Sequence, residues 1–197
     1  MKQYVEDKSI RGRFAEIEVK VENLRRDMER NGWDAIYVSK SEHFAWITAG
    51  GDNIVTRFVE GGVCAILITR TGRYFLCNNI ETLRMIVEEK LPELGFEERS
   101  WFWYENRTMK VIHDLIGGGR LAADIPLAGA ADANPVLLDR EKVLCDNEIA
   151  RYLHLGRTFS EVIERFAATI RPGDTEIAIA GGLGKEMWAA GLEPVLF

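Results

Sequence analysis

Between residues 14 and 31, Phe14, Ile17, Val21, Leu24 and Met28 recur at intervals of three and four, while Glu16, Glu18, Lys20, Arg25, Arg26 and Arg30 take the other face. That period predicts an amphipathic helix. Asn31-Gly32 supplies a stop that tolerates left-handed backbone, and Ala35-Ile36-Tyr37-Val38 reads as a short buried strand. Residues 63–69 and 73–77 are two apolar runs joined by Arg70-Thr71-Gly72, the pattern of a β-hairpin. Ile80, Leu83, Ile86, Val87, Leu91 and Leu94 form a second helical stripe that ends near Gly95. Trp101-Phe102-Trp103-Tyr104 then reads as an aromatic strand, Met109, Ile112, Leu115 and Ile116 as a third helix stopped by Gly117-Gly118-Gly119, and Leu121-Ala122-Ala123 as a further strand. Strands alternating with helices, with one hairpin among them, imply a mixed sheet with helices packed against it. The pattern predicts one α/β domain over residues 1–135.

The texture changes after the Gly-, Ala- and Pro-rich stretch 126–135. Ile149, Tyr152, Leu153, Gly156, Phe159, Val162, Ile163, Phe166 and Ile170 make one long stripe, with Asp146 or Asn147 placed as N-cap. Arg171-Pro172-Gly173-Asp174 breaks it, and Thr175 is placed to cap another helix carrying Ile177, Ile179, Leu183 and Met187 and ending at Gly191. Pro194-Val195-Leu196-Phe197 could open a strand. Two helices and a strand stub cannot bury their apolar faces by themselves, so residues 136–197 either dock on the first domain or begin a second one. The apolar ending at Phe197, with no turn after it, reads as a cut within that second domain.

Composition narrows the classes. Of 197 residues, 47% are apolar, 28% charged and only 5 are Pro, which excludes disordered and collagen-like chains. The net charge of −6 argues against nucleic acid, whose phosphates require clustered positive charge. The longest apolar run, residues 63–68, is far short of the ~20 residues a membrane helix needs, and the N-terminus has no hydrophobic signal core. No membrane partner and a cytoplasmic location are expected. Cys64, Cys77 and Cys145 are odd in number and form no CxxC pair, so buried thiols are expected rather than a disulfide framework or a zinc cage.

The candidate motifs for chemistry fall away one by one. Gly181-Gly182-Leu183-Gly184-Lys185-Glu186 lacks the first Gly and the Ser/Thr of a phosphate loop and reads as a small-residue patch on a close-packed helix. Gly117-Gly118-Gly119 follows a helix and is a turn. His43, His113 and His154 have no metal-ligand spacing, and structural roles are expected for His113 and His154. There is no GxSxG elbow. Catalytic residues and metal ligands within the chain are therefore none.

Several segments, in order, resemble the two-domain metallopeptidase family that includes Xaa-Pro aminopeptidase, prolidase and creatinase. Leu24-Arg25-Arg26-Asp27-Met28 followed by Gly32-Trp33-Asp34-Ala35-Ile36-Tyr37-Val38-Ser39 is similar to that family's amino-terminal start. Ser41-Glu42-His43-Phe44-Ala45-Trp46-Ile47-Thr48-Ala49-Gly50 is similar to its Ser-Pro-x-Asn-x-x-Tyr-Leu-Thr-Gly segment, with His43 where Asn is usual and Trp46 where Tyr is usual. Arg171-Pro172-Gly173-Asp174-Thr175-Glu176 resembles the link between the first two helices of its catalytic domain. Glu148-Ile149 matches the start of the long helix, but Glu141 and Leu144 stand where Arg and Lys are usual.

The resemblance implies a three-layer α/β fold, a mixed sheet with flanking helices and a ribonuclease H-like motif, followed by the first two helices of a pita-bread catalytic domain. It places the family's five metal ligands, two Asp, one His and two Glu, beyond Phe197, together with the pair of divalent metal ions they hold. It implies a homodimer and a domain that walls the active-site entrance and restricts substrates to short peptides or small molecules. The chain alone is expected to be inactive. Arg57 stands eleven residues after Trp46, where in the creatinase branch an Arg reaches a substrate carboxylate. A guanidinium fork suits that role, although a solvated loop arginine is the plainer reading. The alternative is a free-standing binding or dimerisation module that uses an aromatic surface around Trp101-Phe102-Trp103-Tyr104. Core packing is the plainer reading of those side chains.

Overall fold

The apolar run at 63–68 has no polar alternation, and its position explains why. It lies in β2 (Gly61–Thr69), inside a sheet covered on both faces. In the computed structural model, which describes residues 3–56 and 58–194, the element order is α1 (Ile10–Asn31), β1 (Ala35–Lys40), α2 (Ser41–Ile47), β2, β3 (Arg73–Asn78), α3 (Thr82–Val87), β4 (Glu97–Trp101), α4 (Thr108–Ile116), β5 (Leu121–Ala123), β6 (Ala131–Asp132), α5 (Asn134–Glu141), α6 (Asp146–Ala167) and α7 (Glu176–Ala189). The strands of the described residues form one sheet in the order β4-β3-β2-β1-β5-β6. The pairs β1 with β2 and β2 with β3, the latter a hairpin, are antiparallel, whereas β1 with β5, β5 with β6 and β3 with β4 are parallel. This is the mixed sheet the pattern predicts.

The period of two along β2 divides its side chains between two cores. Cys64, Ile66 and Ile68 join Ile36, Val38 and Phe75 beneath Ile17, Val21, Leu24 and Met28 of α1, with Phe44 of α2, Met85 of α3 and Leu137 of α5 on the same side. Ala65 and Leu67 join Ala35, Tyr37 and Leu76 against Ile112 of α4. The result is the expected three-layer α/β arrangement.

Local chemistry sets the helix ends. α1 begins at Ile10, earlier than its stripe, because the Ser9 side chain accepts from Gly12 N–H at 3.0 Å. It ends at Gly32, whose φ of 67° lets Trp33 N–H return to Met28 O at 2.8 Å. α3 stops well before its apolar stripe does: Lys90 turns left-handed, with φ 58°, and Leu91 N–H returns to Met85 O at 3.1 Å. A turn carries Leu91 and Leu94 into the core instead. The aromatic strand is also corrected. β4 ends at Trp101, opposite Asn78, where its partner β3 ends too, so there is no ladder for Phe102, Trp103 and Tyr104 to join. Each of these three is more than half exposed, and Trp103 N–H donates to Asn79 Oδ1 at 2.8 Å. They do not pack in the core.

Two compact units emerge, Asp7–Val143 and a second that starts at Leu144 and takes in the few residues before Asp7. The first extends past the expected residue 135 because α5 packs within it. The 126–135 stretch holds β6, and it leads into α5, whose Leu137 is fully buried and whose Arg140 grips the Asp27 carboxylate through two bonds of 2.6 and 2.7 Å. In the second unit Cys145, not Asp146 or Asn147, is the N-cap of α6, and its N–H donates to Glu148 Oε2 at 2.8 Å. Thr175 caps α7 as expected, accepting from Ala178 N–H at 3.2 Å. A Cβ on Gly182 would lie 2.7 Å from the Phe166 ring, so the small-residue patch does mark close packing of α6 and α7. The strand expected at Pro194-Val195-Leu196-Phe197 lies outside the described residues but for Pro194. No helix of the described residues is long and apolar enough to cross a membrane.

Candidate functional site

Because β1, β5 and β6 run parallel, their carboxyl ends meet at one edge of the sheet, the place where open α/β sheets receive ligands. A cleft of about 460 Å³ opens there, lined by Lys40, Glu60, Asp124, Asp132 and Asn134 over an apolar floor that includes Ile125 and Leu127. Asp124 closes its base. Where β5 ends, the Asp124 carboxylate accepts from Ser39 N–H at 2.8 and 2.9 Å and from Lys40 N–H at 2.7 Å, so the side chain continues the ladder to β1. Burial raises its pKa, and the two amides hold part of that rise back. Burial likewise pushes the Tyr37 phenol up to about 12, with the Asp124 charge acting in the same direction.

At the rim, Asn134 Nδ2 and N–H both donate to Asp132 Oδ1, at 2.6 and 2.9 Å, which holds the Asp132 carboxyl below its usual range. Lys40 Nζ lies 3.6 Å from Glu60 Oε2. The cleft therefore presents an ammonium, carboxylates and an amide to solvent, and its lining includes no Ser, Thr or Cys nucleophile.

Behind the rim sits His43, in the first turn of α2 and buried. Its Nδ1 donates to Glu141 Oε1 at 2.6 Å, and its Nε2 lies 3.4 Å from Asn134 Oδ1. The Asn134 amide nitrogen is engaged with Asp124 O and Asp132 Oδ1, which leaves the amide oxygen facing the ring. Acceptors at both ring nitrogens favour the imidazolium. Burial works against that charge, but the hydrogen bond and charge of Glu141 outweigh it and the pKa rises.

The chain leaves this edge at residues 51–56. There Asn53 is fully buried: its Nδ2 donates to Ser39 O at 3.0 Å and Cys64 O at 2.7 Å while its backbone carbonyl accepts from Val63 N–H at 2.9 Å. Gly62 is required opposite, since a Cβ there would overlap the Asn53 side chain. Arg57, the candidate carboxylate-binding residue, lies outside the described residues; Thr56 and Phe58 on either side of it are exposed. His113 and His154 occupy exposed positions on α4 and α6. Sequence reasoning missed Asp124 and Asn134 as site residues. The available signal for Asp124 was an acid placed directly after the apolar run Leu121-Ala122-Ala123.

No protein-family model and no curated protein matches the chain. Solved structures share its fold. The Xaa-Pro dipeptidase from Bacillus anthracis matches with a TM-score of 0.65 at 17% identity, over 88% of this chain and 49% of its own. Dipeptidase PepE from Mycobacterium ulcerans gives 0.68 at 17% over 90% and 50%, and the X-Pro aminopeptidase from Thermotoga maritima MSB8 gives 0.64 at 18% over 90% and 51%. The chain thus spans about half the length of the structures it matches. At these identities the likeness is one of fold.

Proposed function

We propose that the chain is the non-catalytic amino-terminal part of a creatinase- and prolidase-like Xaa-Pro metallohydrolase. In this reading the first unit serves the homodimer and walls the active-site entrance, admitting short peptides or small molecules, and α6 and α7 open a pita-bread domain. The observation that carries it is the uncovered apolar surface of those two helices: Tyr152 is 63% exposed, Ile177 87% and Trp188 59%. Side chains of this size at such exposure mark a face that another segment covers. Coverage of about half of each matched structure supports a continuation as that segment.

The divalent metal pair belongs, in this reading, to the continuation. Two buried acids of the first unit are committed elsewhere, Asp124 to the amides of Ser39 and Lys40 and Asp27 to Arg140. The test is to read the frame past Phe197 and express the chain with and without its continuation. The expected result is amide protection and protease resistance of α6 and α7 in the longer protein only, manganese- or cobalt-stimulated Xaa-Pro cleavage in that form only, and a higher KM for carboxylate-bearing substrates in its Arg57→Met variant. A stop codon at that point, or cleavage by the 197-residue chain, overturns the proposal.

The exposed rings of Phe102, Trp103 and Tyr104 favour a second reading, a free-standing binding or dimerisation module. Phe102 and Tyr104 stack with centroids 5.6 Å apart and present one aromatic surface. Under this reading Trp103→Ala turns an oligomer into a monomer on a light-scattering column without lowering Tm; an unchanged mass removes it.

A further inference from the structure

Cys64 and Cys77 stand directly opposite each other on β2 and β3, and neither has a part in the function proposed above. The geometry of the hairpin says what kind of pair this is. Thr69 N–H donates to Gly72 O at 2.9 Å, so Thr69 and Gly72 are a hydrogen-bonded pair. Antiparallel pairs alternate, which makes Ile68 with Arg73, Ile66 with Phe75, and Cys64 with Cys77 the non-hydrogen-bonded ones. In such pairs the Cα atoms approach to about 4.5 Å and the side chains lie closest, within the separation a disulfide spans. Both side chains point into the same core, with Ile66 and Phe75, and each thiol shifts the ionisation of the other.

We propose that Cys64 and Cys77 are an oxidisable dithiol that closes into a disulfide across β2 and β3 on meeting a small peroxide such as hydrogen peroxide.

The two sulfurs are not equivalent. The Thr82 hydroxyl lies 3.4 Å from Cys77 Sγ and can turn its proton from the Asn78 carbonyl to a thiolate. The Cys64 thiol and this hydroxyl favour the Cys77 thiolate, while burial pushes the Cys64 thiol up. Cys77 is therefore the attacking sulfur. Its thiolate displaces hydroxide from the peroxide: an S–O bond forms, the O–O bond breaks, and the hydroxide leaves as water with the proton first lost by Cys77. Cys64 then attacks the resulting sulfenic acid: the S–S bond forms, the S–O bond breaks, and hydroxide leaves as water with the Cys64 proton. Two thiols and one peroxide become one disulfide and two waters, with the sulfurs oxidised and the peroxide reduced. Both cysteines are only 1% exposed, so the pair selects small oxidants over bulky disulfides. The bond forms at the strand position whose Cys64 carbonyl accepts from Asn53 Nδ2 at 2.7 Å.

The test treats the native chain with hydrogen peroxide, quenches it, alkylates it under denaturing conditions and maps the peptides. The expected product is a peptide pair joined through Cys64 and Cys77, lighter by about 2 Da and separated by reductant. In Cys64→Ser a sulfenic-acid probe labels position 77, whereas in Cys77→Ser position 64 stays unlabelled. Recovery of both cysteines fully alkylated, or oxidation confined to Cys145, overturns the proposal, and the mapping of the native chain decides this without either variant. Equal sulfenate labelling in the two variants overturns the assigned order of attack. None of these outcomes depends on the peptidase reading.

Discussion

Removing either partner of the His43 and Glu141 pair tests whether a buried imidazolium helps hold the first unit. The bond is 2.6 Å long and the His43 side chain is 2% exposed, so its loss strands a charge that water cannot reach. Breaking one side of such a pair costs about 3–5 kcal/mol, and a hydrogen bond to a charged group is worth about 1.5–3 kcal/mol net. A double-mutant cycle over His43→Gln, Glu141→Gln and both should therefore give a coupling of about 2 kcal/mol near pH 6. The pH dependence follows from the direction of the shift. Because the folded pKa of His43 is raised above the unfolded 6.5, its contribution is fully present below about pH 6.5 and is lost as pH climbs through the folded value. Urea unfolding of the full chain, followed by tryptophan fluorescence to which the buried Trp33 contributes, measures the cycle at about pH 6 and about pH 9, with the coupling falling at the higher pH. A coupling below about 0.5 kcal/mol near pH 6, or one equal at both values, refutes the charged-histidine argument.

Leu137→Ala opens a cavity in the first unit and should cost about 2–5 kcal/mol in the same urea assay; a cost under about 1 kcal/mol would show that α5 is not part of that core. Asp124→Ala leaves the amides of Ser39 and Lys40 without their acceptor and should cost about 2–4 kcal/mol, with Asp124→Asn recovering part because its remaining oxygen can still accept. Equal losses in the two variants would mean that the carboxylate does not act as the acceptor.

Two of the four departures from the resembling family, His43 and Glu141, turn out to be one feature. His43 and Glu141 are 98 positions apart and look unrelated along the chain. In the fold a cation on α2 meets an anion at the end of α5, so each unusual residue is the other's partner. Once that ion pair is seen, Glu141 no longer reads simply as a lost basic residue. The site around it was invisible beforehand for a related reason. Asp124, Asn134 and Asp132 are ordinary polar residues of a loop-like stretch, and they become a cluster only when parallel β1, β5 and β6 bring their ends together.

What the chain determined alone is whatever depends on neighbours within a few residues. The α1 stripe and its Gly32 stop, the hairpin around Arg70-Thr71-Gly72, the Thr175 cap and the uninterrupted apolar run of a doubly covered strand are all of this kind. Tertiary structure decided what depends on a distant partner. Phe102, Trp103 and Tyr104 have the composition of a buried strand, yet they lie exposed because β3 has already ended. A Gly-, Ala- and Pro-rich stretch leads into α5, which stays with the first unit because Leu137 finds a core and Arg140 finds Asp27, far away on α1. Helix and turn propensities are local energies, whereas burial and ion pairing are paid back only by residues that the fold itself brings near.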